Sequence, residues 1–396
     1  MKMFERYPFG KLTFILFSGL LASTTATAQS PGKLHWHGFF NQGVIYTDEN
    51  NFFGDSTDTS FDFRSVGLGV SWQPLDKLLF SVQGLYRDAG KTSTNGVNVD
   101  YAVINYNLVN QLGFGLSVRA GRVKNPYGLY NETRDVAATR PSVLLPQSIY
   151  PAAFRDIFHT SDSVILSGYK EAANWLINFD FLRGSVPFDE RSERLLIPVS
   201  QPANIEGDKL WGARSLFEYD GGLMRFGLTY IKFEGRIDTT PLVIFPGDMD
   251  IDSYVLSFEY NWECFQFTTE YRQTDFIYEN VIAPGLSSQR TSEAYYFQLS
   301  WQVDEKLRLF SRYEDYYPNR DDKSGRGQLK FGRPKSDGFS NSVVVGAQYQ
   351  LAEDWLLAGE VHQVKGTATL PVVENLAASK VKEKWNLYTL QLSYKF

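Results

Sequence analysis

Stretches in which bulky apolar and polar side chains strictly alternate recur along the whole 396-residue chain. At the C-terminus Tyr388, Leu390, Leu392, Tyr394 and Phe396 alternate with Thr389, Gln391, Ser393 and Lys395. Tyr295, Phe297, Leu299, Trp301 and Val303 alternate with Tyr296, Gln298, Ser300 and Gln302. Leu112, Phe114, Leu116 and Val118 alternate with Gly113, Gly115, Ser117 and Arg119. A period of two gives an extended strand one apolar and one polar face. Roughly sixteen such segments are readable. They lie near 33–47, 59–73, 78–88, 97–109, 112–124, 162–170, 173–183, 209–219, 222–234, 250–261, 263–275, 291–303, 306–317, 340–351, 354–366 and 384–396.

The connections alternate as well. Short ones fall at 74–77, 110–111, 171–172, 220–221, Trp262, 304–305 and 352–353. Long ones fall at 48–58, 89–96, 125–161, 184–208, 235–249, 276–290, 318–339 and 367–383. Short turns on one end and long loops on the other are the pattern of a transmembrane β-barrel. A sheet survives in hydrocarbon only if it closes, because the lipid offers its backbone no hydrogen-bond partner. The sequence therefore predicts an all-β protein, a transmembrane antiparallel up-and-down barrel of about sixteen strands. Trp36, Trp72, Trp211, Trp301, Trp355 and Trp385 suit its interfacial girdles. A soluble β-sandwich would also alternate, but it would hide its apolar face against a second sheet.

The first residues point the same way. Lys2, Arg6 and Lys11 precede the apolar run 12–22, and Ala26-Thr27-Ala28 is a small-x-small cleavage pattern. Such a segment reads as a secretory signal peptide over 1–28, leaving 29–396 as a single barrel domain. Aromatic residues make up 15% of the chain, which favours strands over helices. The formal net charge is −6 and grows more negative once the basic leader is lost, which argues against nucleic acid as a partner. The single cysteine, Cys264, cannot form an internal disulfide.

Over its mature length the chain resembles Gram-negative outer-membrane porins, and the closing "QLSYKF", with Phe396 last, resembles the terminal signature read by the barrel assembly machinery. That resemblance implies the outer membrane as location, lipid and lipopolysaccharide as surroundings, small hydrophilic solutes as cargo and a homotrimer as assembly. It also implies that the loop after the fifth strand, here 125–161, folds inward and constricts the channel. Glu132, Arg134, Asp135, Arg140, Arg155 and Asp156 would then line the narrowest point, where charge sets ion selectivity. They occur largely as neighbouring opposite charges, so local salt bridges shaping the loop are an equal reading.

Strand parity assigns further charges to the lumen wall: Arg64, Arg87, Arg119, Arg214, Arg225, Arg272, Arg308 and Arg312, with Glu218, Glu259, Glu270, Glu314 and Glu360. Facing lipid at the bilayer midplane, each basic residue would cost roughly 2–4 kcal/mol. The expected function is passive diffusion of small hydrophilic solutes and ions through a water-filled channel. A substrate-selective uptake channel for oxyanions, near the phosphate-selective porins, is the alternative, because arginine forks suit such groups. An adhesin or barrel enzyme is disfavoured: no nucleotide loop, G-x-S-x-G elbow or cysteine–histidine metal site is present, and no cofactor or metal is expected.

Overall fold

The computed structural model describes residues 32–396 except 94–95, 153–154, 156–158, 189–192, 194–202, 242 and 376–380. The segment 1–28, expected to be a leader, and Asp156 lie outside the described residues. The strands are β1 (Leu34–Thr47), β2 (Ser60–Leu75), β3 (Leu78–Asp88), β4 (Val97–Gln111), β5 (Phe114–Lys124), β6 (Thr160–Ala172), β7 (Trp175–Ser185) and β8 (Ala203–Tyr219). The second half comprises β9 (Met224–Thr239), β10 (Gly247–Trp262), β11 (Phe265–Glu279), β12 (Ser287–Gln302), β13 (Leu307–Tyr317), β14 (Ser340–Ala352), β15 (Trp355–Gly366) and β16 (Lys384–Lys395).

Each strand pairs antiparallel with its sequence neighbours, and β16 returns to β1, closing the ring. The seam runs from Phe39↔Lys395 to Thr47↔Leu387, and Gly38 and Phe396 exchange both backbone hydrogen bonds at 3.0 and 3.1 Å. Gly38 has to be a glycine at this junction. A Cβ there would lie 2.5 Å from the Phe396 ring and 2.7 Å from the Gly67 carbonyl oxygen.

Alternation sorts the two faces of the wall. Leu68, Val82, Ile104, Leu228, Leu256, Leu299, Val345 and Leu390 are exposed on the outer face. Thr229, Glu259, Glu270, Gln298, Arg312, Glu360 and Gln391, on the opposite parity, are buried. An apolar band running round a whole molecule is far larger than a water-facing surface tolerates, so this wall is built to meet hydrocarbon. At the short-turn end aromatic rings gather outside: Trp355 lies 4.8 Å from Tyr394, Trp175 4.9 Å from Tyr219 and Trp72 5.6 Å from Phe80. Trp385 corrects the girdle expectation. It points inward, 3% exposed, donates to the Gly366 carbonyl and stands 6.1 Å from Phe52 in a core formed by the long loops.

At the long-loop end the outer face carries paired charges: Arg122–Asp162 at 2.9 Å and Lys209–Glu234 at 3.1 Å. Arg64 belongs with them. It shares the parity of the exposed Val66, Leu68 and Trp72 and pairs with Asp88 at 2.7 Å. It also borders the cavity that Arg87 and Arg140 line, so it stands at the rim, where the penalty against outward charge relaxes.

Replacing Leu390 by Arg tests the outer wall. Leu390 lies between Val44 and Gly359, well inside its strand. The expected loss is roughly 2–4 kcal/mol, read from urea unfolding in micelles or bilayers. A loss below about 0.5 kcal/mol, the scale of a neutral surface change, would contradict a hydrocarbon-facing position.

Candidate functional site: the segment between β5 and β6

The connection between β5 and β6 is rich in apolar residues that pack rather than wave in solvent. Tyr127, Tyr130, Leu145, Ile149 and Tyr150 join one buried cluster with wall residues Ile231, Val255 and Tyr296. Leu144 and Ala152 join a second one, with Phe52, Phe53 and Trp385.

Its polar groups bond the inner face of strand after strand. Leu129 N–H donates to Glu270 at 3.0 Å, and the Tyr150 hydroxyl donates to the same carboxylate at 2.7 Å. Val143 N–H and Leu144 N–H each donate to Glu360 at 2.9 Å, and Ser148 N–H donates to Glu314 at 3.1 Å. Running the other way, Arg312 donates to Ser142 Oγ at 2.8 Å and to the Leu144 carbonyl, Arg272 to the Ile149 carbonyl and Gln298 to the Pro141 carbonyl. Asn41 of β1 donates to the Asp135 carbonyl, Gln348 of β14 to the Arg140 carbonyl, and Arg140 itself to Gln391 of β16. A loop carbonyl or N–H buried here without such a partner would cost about 1–3 kcal/mol, so the wall supplies what water otherwise would.

The charges anticipated from sequence separate into four groups. Glu132 meets Arg214 of β8 at 2.6 Å and Arg119 of β5 at 3.9 Å, and Arg214 also holds Asp180 at 2.8 Å. On the wall alone, Arg225 lies 3.7 Å from Glu259, and Arg308 reaches Gln266. Asp135 joins a buried cluster: Arg155 at 2.7 Å, Lys124 at 3.0 Å and His159 at 3.0 Å, with Asp100 of β4 closing the set against Lys124 at 2.9 Å. Arg134 and Arg140 line an open cavity with Arg87 of β3.

Asp100, Lys124 and His159 escaped sequence reading. A register shift in β4 pairs Val99 with Gly84 but Tyr101 with Gln83, so Asp100 leaves the parity that its neighbours obey. Asp100, Asp135 and His159 bring three donor atoms within 4.8 Å of one another, as a metal site does. Lys124 and Arg155 already occupy their carboxylates, so side-chain cations fill the place a metal ion would take. Burial alone would raise the Asp135 carboxyl, but Arg155, Lys124 and His159 hold it well below the usual carboxylate range. Burial, helped by Arg155, pushes the His159 imidazole down despite the two aspartates.

The fold can now be placed among known architectures: a closed sixteen-stranded antiparallel barrel of the outer-membrane porin type. The outer-membrane channel DcaP of Acinetobacter baumannii superposes with a TM-score of 0.60 at 11% identity, covering 93% of this chain and 99% of its own. Salmonella typhi OmpF, solved with daunomycin, gives 0.57 at 15% identity over 92% and 98%. An anion-selective porin from Comamonas acidovorans gives 0.54 at 14% identity over 92% and 100%. No protein-family model and no curated protein matches the chain. At such identities the likeness is one of fold.

Acid should loosen the segment. Below His159's ordinary pKa of 6.5 the unfolded imidazole takes up a proton that the buried one refuses, so its contribution to stability falls with pH. Asp135 adds a second loss below 3.8, where the unfolded carboxyl is protonated before the folded one. Hydrogen exchange, corrected for intrinsic rates, should lose protection at Asn125 and His159 between pH 7 and pH 4 while β9–β12 stay protected. Equal protection at both pH values would contradict the linkage.

Proposed function

We propose that this protein is a porin-type channel of the Gram-negative outer membrane, passing small hydrophilic solutes and ions by passive diffusion, with the segment between β5 and β6 as its constriction. One observation carries the reading. That segment bonds β1, β8, β11, β12, β13, β14, β15 and β16, strands from around the ring, and does so on their buried polar face. A loop lying outside the barrel or capping it from above cannot meet those faces together. Polar wall groups and an inserted loop form the architecture of a sieved aqueous pore, in which lining charges bias which ions enter.

The solved channels of this fold support the outer membrane as location, and one porin of the fold is described as anion-selective. A trimeric form is described for OmpT of Vibrio cholerae, which supports a homotrimer for this chain. Phe396, seated over Gly38 at the closing seam, remains our proposed signal for the assembly machinery.

The test is conductance in a planar bilayer. The purified protein should insert in discrete ohmic steps in potassium chloride. Replacing residues 128–151 with a short Gly-Ser linker should raise the step size several-fold. Steps of unchanged size would remove the constriction role, and absence of any conductance would remove the channel reading.

A further inference from the structure

A second recess lies between the β5–β6 segment and the inner face of β13–β16. It measures about 350 Å³ with its open mouth, at the small end of the roughly 300–1,000 Å³ range of small-molecule sites. Phe52, Tyr316 and Trp385 give it aromatic walls, and Ser148, Ser342 and Glu314 meet on its polar side. Among the described residues no lysine or arginine lines it.

Two hydroxyls in it are unspent. Ser148 Oγ and Ser342 Oγ are buried, their residues 1% and 6% exposed, and neither has a hydrogen-bond partner among the described residues. They gather about one carboxylate. Ser148 donates its backbone N–H to Glu314 at 3.1 Å, and Glu314 stands directly opposite Ser342 in the β13–β14 register. Arg312 Nε lies 3.4 Å from Glu314, so that charge is matched by a group outside the lining. The other polar groups are already engaged. Ser340 and Thr369 bond each other at 2.9 Å, His362 bonds Glu360 at 2.8 Å, and Gln147 spends both ends of its amide on the loop backbone. A buried hydroxyl without a partner costs free energy until something arrives to bond it. A hydroxyl both donates and accepts, so a ligand that does both can answer the two serines and the nearby carboxylate together. Carboxylate and phosphate solutes only accept, and they would meet Glu314 with no cation in the lining to receive them.

Resting on the channel reading above, we propose that this recess is a saturable binding site for a small uncharged polyol, a monosaccharide or glycerol, among the solutes that enter the barrel. Ser148 Oγ and Ser342 Oγ bond its hydroxyls, and Glu314 accepts from one of them. Phe52 and Trp385, their rings 6.1 Å apart, bound its carbon-bearing side.

Ligand-observed NMR saturation transfer on the full protein, in a detergent without a sugar headgroup, tests this with glucose and, separately, with glycerol. Transfer should rise to a plateau with at least one of them, and the two arms say how large a polyol the recess admits. In bilayers the same solute should lower the potassium chloride current saturably. Ser148→Ala and Ser342→Ala should each weaken binding about threefold to tenfold, the scale of one neutral hydrogen bond. Neither should lower the unfolding temperature, because each removes a hydroxyl that bonds nothing in the unliganded protein. A hydroxyl that only held the fold would give the opposite pair of results. Ser342→Leu, which fills the recess, should abolish binding, and heat-dependent gel migration verifies that it is folded. No plateau with either polyol, or binding indifferent to both alanine variants, overturns the site and leaves the recess to ordered water, even if the protein conducts. Saturable binding by a protein that does not conduct would uphold the site and overturn the channel reading instead.

Discussion

Backbone hydrogen bonding in a medium that offers none is the constraint from which this structure follows. Each strand has to satisfy both edges, and only a ring does so for all sixteen at once. Closure fixes the rest in turn. It sets one face outward for good, so alternation becomes a division between an apolar coat and a polar interior. It also makes the β1–β16 seam the point at which the ring succeeds or fails, and there Gly38 leaves room for Phe396 to finish the last pair. A slip of one residue at the seam would turn Leu390 inward and Gln391 outward, which is why register is so strongly held.

The same rule governs the interior. A loop inside a barrel loses water as surely as a strand in lipid does, and its N–H and C=O groups need partners. Glu270, Glu314 and Glu360 supply acceptors, while Arg312, Arg272 and Gln298 supply donors. Many of the wall's charged residues are thus committed to holding a loop rather than to meeting solutes. On one side of the interior Arg134 and Arg140 from the loop gather with Arg87 from β3 around a cavity.

The barrel was legible because parity and loop length are local properties, written residue by residue. Every strand foreseen from alternation is present, with ends that move by several residues where a strand continues beyond the membrane, as β8 does from Ala203. Parity failed where the physics behind it changes. Arg64 faces outward because it stands at the rim, and Trp385 turns inward because the loops above it build a core. Asp100 was hidden by the register shift in β4. Partners of the loop, such as Glu360 for Val143 across more than two hundred residues, leave no trace in a single sequence. Aromatic and aliphatic content marked the segment as one that packs; it did not say against what.

A direct measurement of the central claim uses Ala138, an exposed residue of the segment between β5 and β6. With the sole native thiol removed as Cys264→Ser, Ala138→Cys can be reacted with a charged methanethiosulfonate while single channels are recorded. If the segment crosses the aqueous path, each modification lowers or rectifies the current in a discrete step. Complete modification, verified by mass, with unaltered current would place the segment outside the path and contradict the account.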